Sequence, residues 1–112
     1  MRIAAPVTGG KVSAHFGHCE AFALVDVDLE QRAIVKQNLV EPPAHQPGLL
    51  PGWLAEQGVD VVLAGGMGSR AQDLFAGQNV EVCVGVPSHE PSAVVAAYLR
   101  GELKPGDNAC EH

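Results

Sequence analysis

Apolar residues fall along this chain in short blocks separated by glycine and proline. Ile3-Ala4-Ala5-Pro6-Val7 is an unbroken apolar run closed by Thr8-Gly9-Gly10, so residues 2–7 read as a buried strand ending in a turn. Residues 11–19 read as a loop, with a brief strand at 11–13. Toward the end of residues 21–28, apolar and acidic positions alternate through Val25-Asp26-Val27-Asp28, the pattern of a strand with one wet face. Residues 29–31 turn the chain. Residues 32–40 alternate again through Ile34, Val35 and Leu39 and are expected to pair with the preceding strand as a hairpin.

The second half changes its period. Residues 41–48 contain three prolines, each of which removes a backbone donor, so this stretch connects rather than joins a helix or inner strand. Leu50, Trp53 and Leu54 recur at three- and four-residue spacing, predicting a short helix over 49–57 with Gly58 as its stop. Val61-Val62-Leu63 reads as a strand buried on both faces. Gly65-Gly66-Met67-Gly68 is a tight loop, followed by a helix over 69–75 and a strand over 80–86. A last helix starts at His89 or Glu90 behind a Ser88 cap. It runs to Arg100, buries Val94, Val95, Tyr98 and Leu99, and ends at Gly101. Strands alternating with helices predict a parallel portion of sheet, and the hairpin an antiparallel one. The expectation is a mixed α/β sheet in one domain over residues 1–103, with a polar tail over 104–112.

Composition narrows the partners. The chain has 112 residues, 46% of them apolar, enough for one domain with a real core and no disulfide staples. Its formal charge is −6 and no basic stripe is visible, which argues against nucleic acid or an anionic membrane surface as partner. Three widely spaced cysteines, Cys19, Cys83 and Cys110, form no disulfide framework. With no leader and no apolar run near the ~18 residues of a membrane span, the expected setting is reducing and cytoplasmic.

The densest chemistry is His15-Phe16-Gly17-His18-Cys19, two imidazoles and a thiol in five residues. Imidazole suits iron, zinc and copper, and thiolate adds softness. The competing reading has His15 bonded to a backbone carbonyl and Cys19 as a small buried hydrophobe. Cys110 and His112 form a second thiol–imidazole pair in the tail, where chain ends are often loosely held. Gly65-Gly66-Met67-Gly68-Ser69-Arg70 joins a buried strand to a helix. Its glycines permit close backbone approach, the helix start offers amides to an anion, Arg70 adds charge and Met67 a thioether. It lacks the Gly-Lys-Ser/Thr of a phosphate-binding loop, and a simple turn with Met67 packed inward serves as well. Lys11 stands ready to offset an anionic ligand near the histidine loop. Cys83 reads as core, Trp53 as a helix-to-sheet anchor, His45 as solvated, and Asp26 with Asp28 as a wet strand edge.

These blocks resemble the dinitrogenase iron–molybdenum cofactor biosynthesis family, in the small stand-alone form related to NifX and the C-terminal part of NifB. The resemblance is carried by Ile3 to Val7, Val12-Ser13-Ala14-His15-Phe16-Gly17-His18-Cys19-Glu20-Ala21-Phe22, Val61 to Gly68, and Ala93 to Leu103. The tail Asn108-Ala109-Cys110-Glu111-His112 matches a common ending of stand-alone members. The resemblance implies a ribonuclease H-like fold, a five-stranded mixed sheet flanked by helices. It does not imply nuclease activity, because residues 2–7 carry no acid to hold a divalent metal.

The family's role implies binding, carrying or scaffolding of a metal–sulfur cluster, iron–sulfur or iron–molybdenum, without catalysis. His15 matches the histidine of the His-Phe-Gly motif, proposed as a cluster contact. The candidate ligand set is His15, His18, Cys19, Cys110 and His112, in a pocket of Lys11, Phe16, Gly17, Gly65, Gly66, Met67, Gly68 and Arg70; the resemblance carries His15 and strengthens the tail and the glycine loop, while His18 and Cys19 rest on their residue types. Cys19 departs from nitrogenase-associated members, which often carry a small residue there, and so bears on which cluster is held. Implied partners are a cluster-assembly ATPase or an acceptor metalloprotein. Two other readings are an adaptor domain for such a partner, and a thiol or metal hydrolase using Cys19 with His15 or His18 as base.

Overall fold

The computed structural model describes residues 1–17, 19–43 and 49–103. Its sheet has six strands: β1 (Arg2–Thr8), β2 (Lys11–Val12), β3 (Ala21–Asp28), β4 (Ala33–Val40), β5 (Val61–Leu63) and β6 (Glu81–Cys83). Five lie in the order β4-β3-β1-β5-β6, and β2 pairs with β1 off that path. The expected five strands therefore become six, because the two-residue β2 folds back on β1 through Val7–Val12 and Thr8–Lys11. β1 is antiparallel to β3 and parallel to β5, and β5 is parallel to β6, so both expected sheet portions meet at β1. Pro6 is tolerated in this inner strand beyond the last β1–β5 pair, Ala4–Val62, and its carbonyl accepts the Ser13 amide at 2.7 Å.

Strand alternation divides the core between the two faces of the sheet. Ile3, Ala5 and Val7 of β1, Ala23, Val25 and Val27 of β3, and Val61 and Leu63 of β5 face one side. There Val94, Val95 and Leu99 of α3 (Pro91–Leu99) cover them. Ala4, Phe22, Leu24 and Val62 face the other side, under Leu50 and Leu54 of α1 (Leu49–Glu56) and Phe75 of α2 (Ser69–Gly77). Gly58, at φ +78°, ends α1 as expected. Trp53 anchors α1 with its ring 5.8 Å from that of Phe22.

Several boundaries and one cap differ from expectation, and α2 runs two residues beyond its expected end. β6 stops at Cys83 because the chain leaves the sheet through Gly85, at φ +73°. α3 starts at Pro91, whose fixed φ suits a first helical position. Ser88 does not cap α3: its hydroxyl donates to the Val12 carbonyl at 2.9 Å, and Glu90 holds the cap position with no side-chain bond. No described helix is long and apolar enough to cross a membrane.

Candidate functional site

β1, β5 and β6 run in parallel, so their carboxyl ends open on one side of the sheet, the side where open α/β sheets collect ligands. The loop after β2 begins at Ser13, whose buried hydroxyl donates to the His15 carbonyl at 3.0 Å and accepts the His15 amide at 3.2 Å. That closed turn sets the backbone of His15 and leaves the residue exposed. Phe16 then drives the loop into the core. Its ring meets Phe22 at 5.5 Å and Phe75 at 5.4 Å, both edge to face. Phe16 is thus the anchor of the loop, and Gly17 beyond it is half-buried.

The glycine loop after β5 lies directly against this one. Phe16 donates its amide to the Gly66 carbonyl at 3.0 Å, and Gly65 donates to the Ser13 carbonyl at 3.1 Å. Gly65 is required by space: a Cβ would stand 2.8 Å from Ala14 Cα and 3.0 Å from the Ser13 carbonyl oxygen. Met67 is fully buried in the α1/α2 face of the core, while Gly68 and Arg70 are exposed. The loop after β6 adds a third wall. Gly85 donates to the Gly65 carbonyl at 3.0 Å, and the Val12 amide reaches the His89 carbonyl at 2.9 Å. The backbones of three loops are therefore tied together beside His15.

Cys19 returns the chain toward β3. It is partly buried against the cluster that holds Phe16 and Phe22. Burial pushes its thiol above the ordinary range, and backbone hydrogen bonds offset part of that rise. The protonated thiol is therefore the resting form. Among the described residues, no three His, Cys, Asp or Glu side chains converge on one metal position. Lys11 is exposed on β2 at the start of the loop. His18, Cys110 and His112, and His45, for which solvation was the expectation, lie outside the described residues.

Reading the sequence missed Ser13, the clamp on His15, and Ser88, the clamp on Val12. Ser13 had a local signal, a hydroxyl two residues before the histidine in a predicted loop. Ser88 had none, because its partner is 76 residues away. Asp26, expected as a solvated edge, pairs with Arg2 at 2.7 Å, and Asp28 caps its own turn by accepting the Glu30 amide at 2.9 Å.

A family model described as dinitrogenase iron-molybdenum cofactor matches residues 1–101, which takes in all three loops and every described strand and helix. The chain belongs to the dinitrogenase iron-molybdenum cofactor family. A solved structure, that of PH0822, superposes on this member of the family with a TM-score of 0.89, at 31% identity over 100% of both chains. The apo form of the orange protein from Desulfovibrio gigas shares the fold with a TM-score of 0.74, at 23% identity over 96% of this chain and 93% of that one. An uncharacterized protein of Methanocaldococcus jannaschii, MJ0580, is 28% identical over 86 residues, covering 73% of this chain and 72% of its own.

Proposed function

We propose that this protein binds and carries a metal–sulfur cluster, iron–sulfur or iron–molybdenum, during cofactor assembly and performs no catalytic turnover. The observation that carries this reading is the Phe16–Gly66 hydrogen bond, which joins the His15 loop to the glycine loop at the carboxyl ends of β1 and β5. Family membership supports the class of cargo. His15 is offered on the Ser13-clamped turn as a contact, and Cys19, four residues on, supplies a thiol that loses its proton to the metal. His18, Cys110 and His112 are further ligand types of this set. With few protein ligands the cargo stays exchangeable, as a carrier requires; a closed four-cysteine site would hold it too firmly. Lys11, Arg70 and the backbone donors after Gly66 offset the charge of an anionic cluster.

The finer fold reading is ribonuclease H-like, supported by the β4-β3-β1-β5-β6 order with β3 antiparallel to β1. β1 carries no acidic side chain, which separates it from the metal-dependent nucleases of that architecture. We take residues 1–103 as the binding domain, a cytoplasmic setting, and a cluster-assembly ATPase or acceptor metalloprotein as partner. The raised thiol of Cys19 counts against a thiol hydrolase, which needs a nucleophile activated at rest. Anaerobic reconstitution with iron and sulfide tests the proposal: a coloured species is expected, with uptake weakened in His15→Ala and Cys19→Ala. A folded protein that stays colourless and takes up no metal overturns it.

A further inference from the structure

β4 is an edge strand of eight residues, and among the described residues it pairs only with β3. Its own positions are all at least partly exposed, with Val35 at 69% and Leu39 at 64%. An edge of this length is a template for another strand. From its residues we infer that β4 is a self-pairing edge, joining a second copy of this chain antiparallel to itself to form one continuous sheet.

Register specifies this pairing. A two-fold axis normal to the sheet keeps each face with its like, so residues opposite one another across the junction must share a face. β3 sets the faces of β4. Val27 pairs with Ile34 and Asp26 with Lys36, so Val35 is an extra, bulged residue. Ile34 packs on the α3 side, and Leu39, opposite Ala23, points to that same side. With the bulge counted, a two-fold placed at Gln37 brings Gln37 against its own copy and Ile34 against Leu39. It also sets Lys36 against Asn38 and Ala33 against Val40, each pair on one face. The flanking Arg32 and Glu41 then meet at both ends as opposite charges.

The two features that ordinarily protect an edge, the bulge and Lys36, here select the register. A one-residue slip puts apolar side chains on the wrong face. A two-residue slip in one direction sets Lys36 against its own copy, which is unfavourable. The acidic charge of the whole chain, −6, is no barrier, because residues 32–41 carry two basic groups and one acidic.

Sedimentation velocity of the full chain over a micromolar to submillimolar series tests this. Wild type is expected to pass from monomer to dimer. Arg32→Glu and Glu41→Arg each place like charges at both ends of the junction, and each is expected to raise the dissociation constant about tenfold. Mixed in equal amounts, the two variants regain complementary ends and are expected to recover wild-type association as a heterodimer. Both substitutions lie on exposed flanks, and circular dichroism melts matching wild type show that each monomer folds. A wild type that stays monomeric across the series overturns the inference. So do single variants that associate as wild type does, or a mixture that associates no better than its components.

Discussion

The amide of Gly65 donates to the carbonyl of Ser13 at 3.1 Å across two loops that lie 52 positions apart in the chain, counted from residue 13 to residue 65. The approach exists because Gly65 has no side chain; a Cβ there would sit 2.8 Å from Ala14 Cα. Ser13 in turn clamps His15, so one missing methyl group sets where the imidazole-bearing turn rests.

Gly65→Ala is therefore expected to push the two loops apart and to destabilise the fold by about 1–3 kcal/mol through overpacking against backbone. Gly52→Ala is the contrast. Gly52 lies inside α1, and a Cβ added there would meet nothing within 4 Å, so the change is expected to stabilise by about 0.5–1 kcal/mol. Urea denaturation of both variants checks the pair of signs; equal effects would remove the steric argument.

Cys19 is expected to alkylate slowly at neutral pH. Burial raises its thiol, so the reactive thiolate accumulates only as pH climbs past the ordinary thiol range. Iodoacetamide rates measured against pH in a Cys83→Ser, Cys110→Ser background read this directly. A half-maximal rate at or below the ordinary thiol range would point to an activated nucleophile and would revive the hydrolase reading.

Asp26 and Arg2 form a pair at 2.7 Å at the far end of β1, each about one-third exposed, and Arg2 also bonds the Gln57 carbonyl. The Arg2 hydrogen bond and charge hold the Asp26 carboxyl below the usual range. A lowered carboxyl stabilises the fold above its unfolded value and loses that contribution as pH falls through its folded value. Solvent screening limits the pair to about 0.5–1 kcal/mol. The denaturation midpoint of wild type is expected to exceed that of Asp26→Asn at pH 7, and the two should converge in acid, once pH has fallen through the lowered folded value of Asp26.

Tyr98 donates its hydroxyl to Glu81 at 3.2 Å, and burial together with that carboxylate pushes its pKa up to about 12. The neutral phenol is the favoured form, so the stability it contributes is present below the unfolded value near pH 10 and fades as pH rises through the folded one. Ultraviolet titration of the single tyrosine should show phenolate late, and Glu81→Gln should bring the transition earlier. An unchanged midpoint in the variant would assign the shift to burial alone.

Most of the fold was legible in the residues. The unbroken run Ile3–Val7 announced a buried strand and the Val61-Val62-Leu63 block a strand buried on both faces, and both are central in the sheet. The spacing of Leu50, Trp53 and Leu54 announced α1, and Gly58 its end. The shortening of β6 was not legible. The amides of Gly85 and Val86 leave the ladder for the carbonyls of Gly65 and Ala64, partners far away in sequence. The sixth strand was foreshadowed only as a brief extended stretch, since two residues carry too little pattern to mark a strand.

What the sequence determined by itself was local: strand and helix periods, glycine turns, the acidic balance and the ligand types gathered at residues 15–19. Tertiary structure alone decided which of these meet. It placed the Ser13–Phe16 turn against Gly65 and Gly66, sent Phe16 and Met67 into the core, and gave Asp26 to Arg2. The division has a physical cause. Periodicity records how each residue faces its own element, whereas a backbone hydrogen bond or a missing Cβ acts between segments whose separation only the folded sheet removes.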